Sequence, residues 1–114
     1  MPLTREFIET IKKRADRSKA FRVGMLKEAA TAFVTNDPQL GRTLLGDYVR
    51  CTLGFEELAK RMGVKSPSVK RMLSVKGNPG SNSLALIMGI LQEHEGVELN
   101  VTSKSQSKRT LENA

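Results

Sequence analysis

Lys65, Ser66, Ser68, Lys70, Arg71, Ser74, Lys76 and Asn78 crowd into one short stretch, VKSPSVKRMLSVKGNPG, and no Asp or Glu occurs from Val64 to Gln92. Cations and short hydroxyls are the side chains that donate to phosphate oxygens and base edges, while a carboxylate among them would repel phosphate. The chemistry open to this stretch is therefore binding of a polyanion. Its plainer reading is a solvated helix face. Such faces usually interleave acids with bases for local pairing, so the missing acid favours the binding reading. Lys76 and the backbone N–H groups freed by the Gly77-Asn78-Pro79-Gly80 break can add phosphate contacts, and Asn78 can equally serve only to shape the turn.

Bond-making chemistry has fewer candidates. The chain has one His and one Cys, His94 and Cys51, and no HExxH, CxxC pair, P-loop or GxGxxG pattern. Cys51 falls on an amphipathic helix and reads as a small buried residue. His94 lies between Glu93 and Glu95 at a helix end, where an exposed or dipole-capping role is expected. The sequence thus predicts a protein that is not an enzyme, with no cofactor and no metal site. A lone Cys excludes an internal disulfide and suits a reducing compartment. The N-terminus mixes charges of both signs without an apolar core, so no signal peptide is read. The longest apolar run, Leu84–Leu91, is well below the ~20 residues that span a bilayer. A cytoplasmic location without membrane contact is expected.

Six helices are needed to position the basic stretch. Leu3, Phe7, Ile8 and Ile11 share one helical face. Phe21, Met25, Leu26, Ala29, Ala30 and Phe33 mark a second helix. Asp37 caps and Pro38 opens a third, which carries Leu40, Leu44, Leu45, Tyr48 and Val49. Phe55, Leu58, Ala59 and Met62 give a two-turn helix ended by Gly63. Ser66 is expected to cap the next helix, Pro67 to open it, and Gly77-Asn78-Pro79-Gly80 to close it. The last helix runs from Asn82 or Ser83 to Glu95 and is apolar nearly all round at LALIMGIL, which calls for burial on more than one side. Val97, Leu99 and Val101 alternate with polar residues, the pattern of a short strand. No internal repeat is seen, and SKSQSKRTLENA reads as a flexible polar tail. The expected organisation is an N-terminal helical extension (1–36), a DNA-binding domain (37–102) and the tail (103–114). At 114 residues with 39% apolar content, the chain has enough material for one core.

The fourth and fifth helices have the spacing of a helix-turn-helix. Ala59 fills the slot where the two helices cross closely, and Gly63 takes the left-handed turn position. Leu58, Met62, Val64, Val69 and Met72 are expected to plug the second helix onto the first. Lys65, Ser66, Ser68, Lys70, Arg71 and Ser74 remain facing outward. The formal charge of +7 adds weight, because residues 64–80 alone supply +4. A basic surface that merely aids solubility is the competing explanation. For the N-terminal cations Lys12, Lys13, Arg14, Arg17 and Lys19, a solvated face is favoured, followed by a partner surface and then extra phosphate contacts.

GFEELAKRMGVKSPSVKRMLSVKGNP resembles the lambda-repressor-like (Cro-type, XRE) DNA-binding domains, an all-α fold of about five to six helices. More narrowly, the chain from Phe21 to Val101 is similar to the HigA-type antidote proteins of bacterial toxin–antitoxin modules. The Gly77-Asn78-Pro79 triplet is the most characteristic mark of that likeness, and DPQLGRTLLGDYVRCTLGFEELAKRMG, SLALIMGIL and EGVELNV extend it. Lys65 stands where many relatives carry a Ser or Thr cap, which leaves the register of the recognition helix open by a residue. The resemblance implies a homodimer on a palindromic operator in double-stranded DNA, and an autorepressing antitoxin that restrains a RelE/HigB-like toxin. Leu84–Leu91 and Val97–Val101 are candidate dimer surfaces, or equally parts of the chain's own core. A stand-alone phage- or plasmid-type repressor without a toxin and a helical protein-interaction module are the alternatives.

Overall fold

In the computed structural model, which describes residues 4–106, the chain forms six helices, with no strand among the described residues. They are α1 (Arg5–Arg17), α2 (Lys19–Val34), α3 (Pro38–Cys51), α4 (Phe55–Met62), α5 (Ser66–Met72) and α6 (Ser81–Glu95). Side-chain caps set several of the starts. Thr4 accepts from the Phe7 N–H at 3.1 Å, and Ser18, which ends α1, accepts from the Phe21 N–H at 3.0 Å to begin α2. Asp37 accepts from the Leu40 N–H at 3.3 Å with Pro38 as the first helical residue, the arrangement expected from the sequence.

A single core draws on five helices. Leu26 and Ala29 of α2 pack with Leu45, Tyr48 and Val49 of α3, Leu58 and Ala59 of α4, Val69 and Leu73 around α5, and Ile87 and Leu91 of α6. Thus α2, part of the extension in the sequence reading, shares its core with the helices that follow. A Cβ on Gly41 would come within 2.7 Å of the Phe33 ring, so a side chain there would have to displace that ring. In α1, Ala15 is fully buried and Ile8 and Ile11 are half-buried, but Phe7 is exposed.

One polar brace crosses this core. The Arg22 Nε donates to both carboxylate oxygens of Glu95 at 2.9 and 3.0 Å, and the Tyr48 hydroxyl donates to Glu95 Oε1 at 2.7 Å. Arg22 also donates from Nη1 to the Ala15 carbonyl. The group ties α1, α2, α3 and α6 together with its buried polar atoms partnered, which is what burial of a charge requires. Burial pushes the Glu95 carboxyl up, but the hydrogen bonds from Arg22 and Tyr48 outweigh it and hold it below its ordinary value. The Tyr48 phenol is pushed up by burial and by the adjacent carboxylate.

Two expectations for the C-terminal part change. Val97–Val101 forms no strand, because an all-helical fold offers no neighbouring strand to complete its hydrogen bonds. The chain instead fastens back onto α6: the Leu99 N–H donates to Gln92 Oε1 at 2.8 Å and the Leu99 side chain packs against the core. The alternation read in the sequence survives as half-burial of Val97 and Leu99, while Val101 is exposed. Helix α6 begins one residue earlier than expected, at Ser81 with Gly80 at its cap position, and leaves one side open. Ile87 and Leu91 are fully buried, whereas Ala85, Leu86 and Gly89 face solvent. Residues 103–106 have no regular structure, and the rest of the expected tail lies outside the described residues.

Candidate nucleic-acid interface

The sequence from Phe55 to Pro79 folds as two short helices and a braced loop. Helix α4 ends on Gly63, whose backbone is left-handed at φ 75° and ψ 28°. Its N–H donates to the Lys60 carbonyl at 3.2 Å, and that of Val64 reaches the Ala59 carbonyl at 3.0 Å. This glycine turn directs the chain into α5. Leu58, Ala59 and Val69 are buried at the helix crossing, and Met62 and Met72 are half-buried, as the spacing predicts. Val64 is not: it is 40% exposed, because the turn carries it outward before α5 begins.

Helix α5 starts one residue earlier than expected. Lys65 is the cap residue, with extended backbone and no side-chain capping bond, while Ser66 and Pro67 are the first two helical residues. Proline is tolerated at either of the first two positions because their N–H groups have no helical partner. Pro67 therefore did not require a cap at Ser66. The first-turn bond is made by the backbone alone, from the Ser68 N–H to the Lys65 carbonyl at 3.0 Å.

The helix also ends earlier, at Met72, five residues short of Gly77. The Leu73 N–H closes on Val69 at 3.1 Å, and the Ser74 N–H makes a tighter turn to the Arg71 carbonyl at 3.2 Å. Ser74 consequently leaves the outer helix face on which the sequence reading placed it. Its hydroxyl donates to the Arg71 carbonyl at 2.7 Å and covers the helix end. Gly77 is buried: a Cβ there would lie 2.5 Å from the Arg71 carbonyl oxygen and closer still to that of Met72. The break thus serves close packing of the returning loop rather than the stopping of α5.

Lys65, Lys70, Arg71 and Lys76 are all exposed, and none is among the carboxylate ion pairs of the described residues. Ser66 and Ser68 are half-buried, and Asn78 is exposed. A groove of about 310 Å³ runs between α5 and the loop, lined by Ser68, Arg71, Met72, Asn78 and Pro79. It brings three of the expected residues together, Ser68, Arg71 and Asn78, as hydrogen-bond donors flanking the apolar Met72 and Pro79. Lys65, Ser66, Lys70, Ser74 and Lys76 do not line it. With seven residues, α5 is about 10 Å long at 1.5 Å per residue.

One residue of this region was not read from the sequence. Arg42 of α3 donates from Nε to the Ser74 carbonyl at 3.2 Å and from Nη2 to the Val75 carbonyl at 2.9 Å. No local pattern announces it, since both acceptors are backbone atoms more than thirty residues away.

Elsewhere, burial pushes the Cys51 thiol up, away from nucleophilic reactivity, and His94 is exposed. Among the described residues no group of three His, Cys, Asp or Glu side chains is placed to hold a metal, and no helix is long and apolar enough to cross a membrane. No family model matches the chain, and neither a curated protein nor a solved structure matches it.

Proposed function

We propose that this chain is a sequence-specific DNA-binding transcriptional regulator that presents α5 and the following loop to a major groove of double-stranded DNA. Carrying the reading is the acid-free face of a short second helix set on a left-handed glycine turn, with Lys65, Lys70, Arg71 and Lys76 exposed and free of carboxylate partners among the described residues. One such helix contacts few base pairs, so specific affinity requires two copies about one helical turn (~34 Å) apart and a palindromic site. Leu86, exposed beside Ala85 and Gly89 on α6, suits a surface between the two copies. The likeness to antidote proteins refines the role to a cytoplasmic, autorepressing antitoxin that neutralises a RelE/HigB-like toxin.

Selection of duplexes from a random-sequence pool, followed by titration of the enriched and scrambled duplexes over a salt series, tests the reading. A persistent preference for the enriched duplex supports it. Equal affinity for both, vanishing by moderate salt, refutes it. Within that assay, Arg71→Ala lowers affinity for the enriched duplex by ~1–3 kcal/mol, the value of a guanine contact, with a smaller loss on scrambled DNA. Equal losses on both would reassign Arg71 to a phosphate, and no loss would mean that another face of α5 meets DNA. Co-purification with the product of an adjacent reading frame separates the antitoxin from a stand-alone repressor.

A further inference from the structure

A helix ends in carbonyl oxygens that carry the equivalent of roughly half a negative charge, and such an end is repulsive beside phosphate. Helix α5 ends within the surface assigned above to DNA, yet its exit is covered by donors. The Ser74 hydroxyl takes the Arg71 carbonyl of the helix itself, and in the loop beyond it the Arg42 guanidinium takes the carbonyls of Ser74 and Val75. The Gly77 N–H also donates to the Ser74 carbonyl, at 3.0 Å. Lys76 is therefore held between two fastened residues. Val75 is tied to Arg42, and Gly77 is packed so closely on the end of α5 that no side chain fits there. Asn78, which lines the groove with Arg71, follows directly.

We infer that Arg42 is a positioning residue for the DNA-contacting loop: its planar fork, rather than its charge, fixes Lys76 and Asn78 beside α5. The inference rests on the DNA-binding reading. Lysine keeps the charge of arginine, but its rotatable donors on a flexible stem lack the rigid planar fork that fixes two carbonyls at once. A phosphate contact would survive that exchange, whereas a fork that organises backbone would not.

The test uses the full chain, the duplex enriched by the wild-type protein, and the variants Arg42→Lys and Arg42→Gln. Both variants are expected to weaken binding by about tenfold, equivalent to ~1.4 kcal/mol. In a Lys76→Ala/Asn78→Ala background, Arg42→Lys is expected to cost less than about twofold, because the groups it positions are gone. In the free protein, hydrogen exchange at the Gly77 amide should accelerate in Arg42→Lys while the Leu91 amide in α6 is unchanged. Full affinity in Arg42→Lys with loss only in Arg42→Gln would make Arg42 a phosphate contact and overturn the inference. Unchanged Gly77 exchange, or unfolding of both variants, would overturn it as well. If the wild-type protein enriches no duplex, the DNA-binding reading fails first; if it does and Arg42→Lys binds equally well, only the role of Arg42 falls.

Discussion

Tyr48→Phe isolates one bond of the buried brace and links its strength to pH. The tyrosine is fully buried, and its hydroxyl donates to Glu95 Oε1 at 2.7 Å, a length typical of a bond to an ionised acceptor. Phenylalanine keeps the ring and leaves no large cavity, so the loss is that of the hydrogen bond. A bond to a charged partner contributes about 1.5–3 kcal/mol, and a bond between neutral groups about 0.5–1.5 kcal/mol. At pH 7 Glu95 is ionised, and we expect Tyr48→Phe to destabilise by about 2 kcal/mol in urea unfolding with an unchanged m-value. The sign of the pH effect follows from the depressed Glu95 carboxyl. Its stabilisation is complete above the ordinary glutamate value of 4.5 and is lost as pH falls below it, through the lower folded-state value. Once Glu95 binds a proton, Tyr48 donates to a neutral acceptor, and the cost of Tyr48→Phe shrinks towards about 1 kcal/mol. Unfolding both proteins at steps from pH 7 downward gives the difference directly. A cost below about 0.5 kcal/mol at pH 7, or one that does not fall in acid, would show that Glu95 is held by Arg22 alone and that the phenol adds nothing.

The same tyrosine sets an alkaline limit. Because its phenol is raised above the ordinary value of 10.0, the wild type should lose more stability than Tyr48→Phe as pH rises past that value, as parallel melts above and below it will show. Gly77→Ala and Gly63→Ala separate steric from backbone cost. A Cβ on Gly63 meets nothing within 4 Å, so alanine there costs only the left-handed backbone, about 1–2 kcal/mol. On Gly77 the Cβ runs into backbone carbonyls, so Gly77→Ala should cost more in urea unfolding and should displace the Lys76–Asn78 loop. A smaller loss at Gly77 than at Gly63 would contradict the close approach of that loop to the end of α5.

What was legible in the sequence was local. Asp37-Pro38 and the left-handed Gly63 follow from rules spanning four or five residues, and both stand as expected. The start and end of α5 were each misplaced by rules of the same reach. Proline fits the first or the second helical position, and the apolar pattern of Val69, Met72 and Leu73 continues past the point where the backbone leaves the helix. What was illegible joins distant residues: Arg42 with Ser74 and Val75, and Arg22 with Glu95 across 73 positions.

Those distant pairs alter how the charge pattern is read. Glu95, one of three acids between residues 93 and 98, has a side chain only 4% exposed and engages Arg22. Arg5, Arg50 and Arg61 are likewise paired with Glu9, Asp47 and Glu57. Pairing leaves the net charge unchanged but relocates the free part of it. Once these cations are set aside, and Arg42 is assigned to backbone carbonyls, the clustered unpaired cations among the described residues lie in two places. Lys12, Lys13, Arg14 and Arg17 occupy α1, with Lys19 beginning α2, and Lys65, Lys70, Arg71 and Lys76 surround α5. Both groups border a groove, but only the α5 group sits on a short helix behind a glycine turn, with its helix exit covered by donors. It is the arrangement of these cations, more than their number, on which the proposed contact of α5 with phosphate and base edges rests.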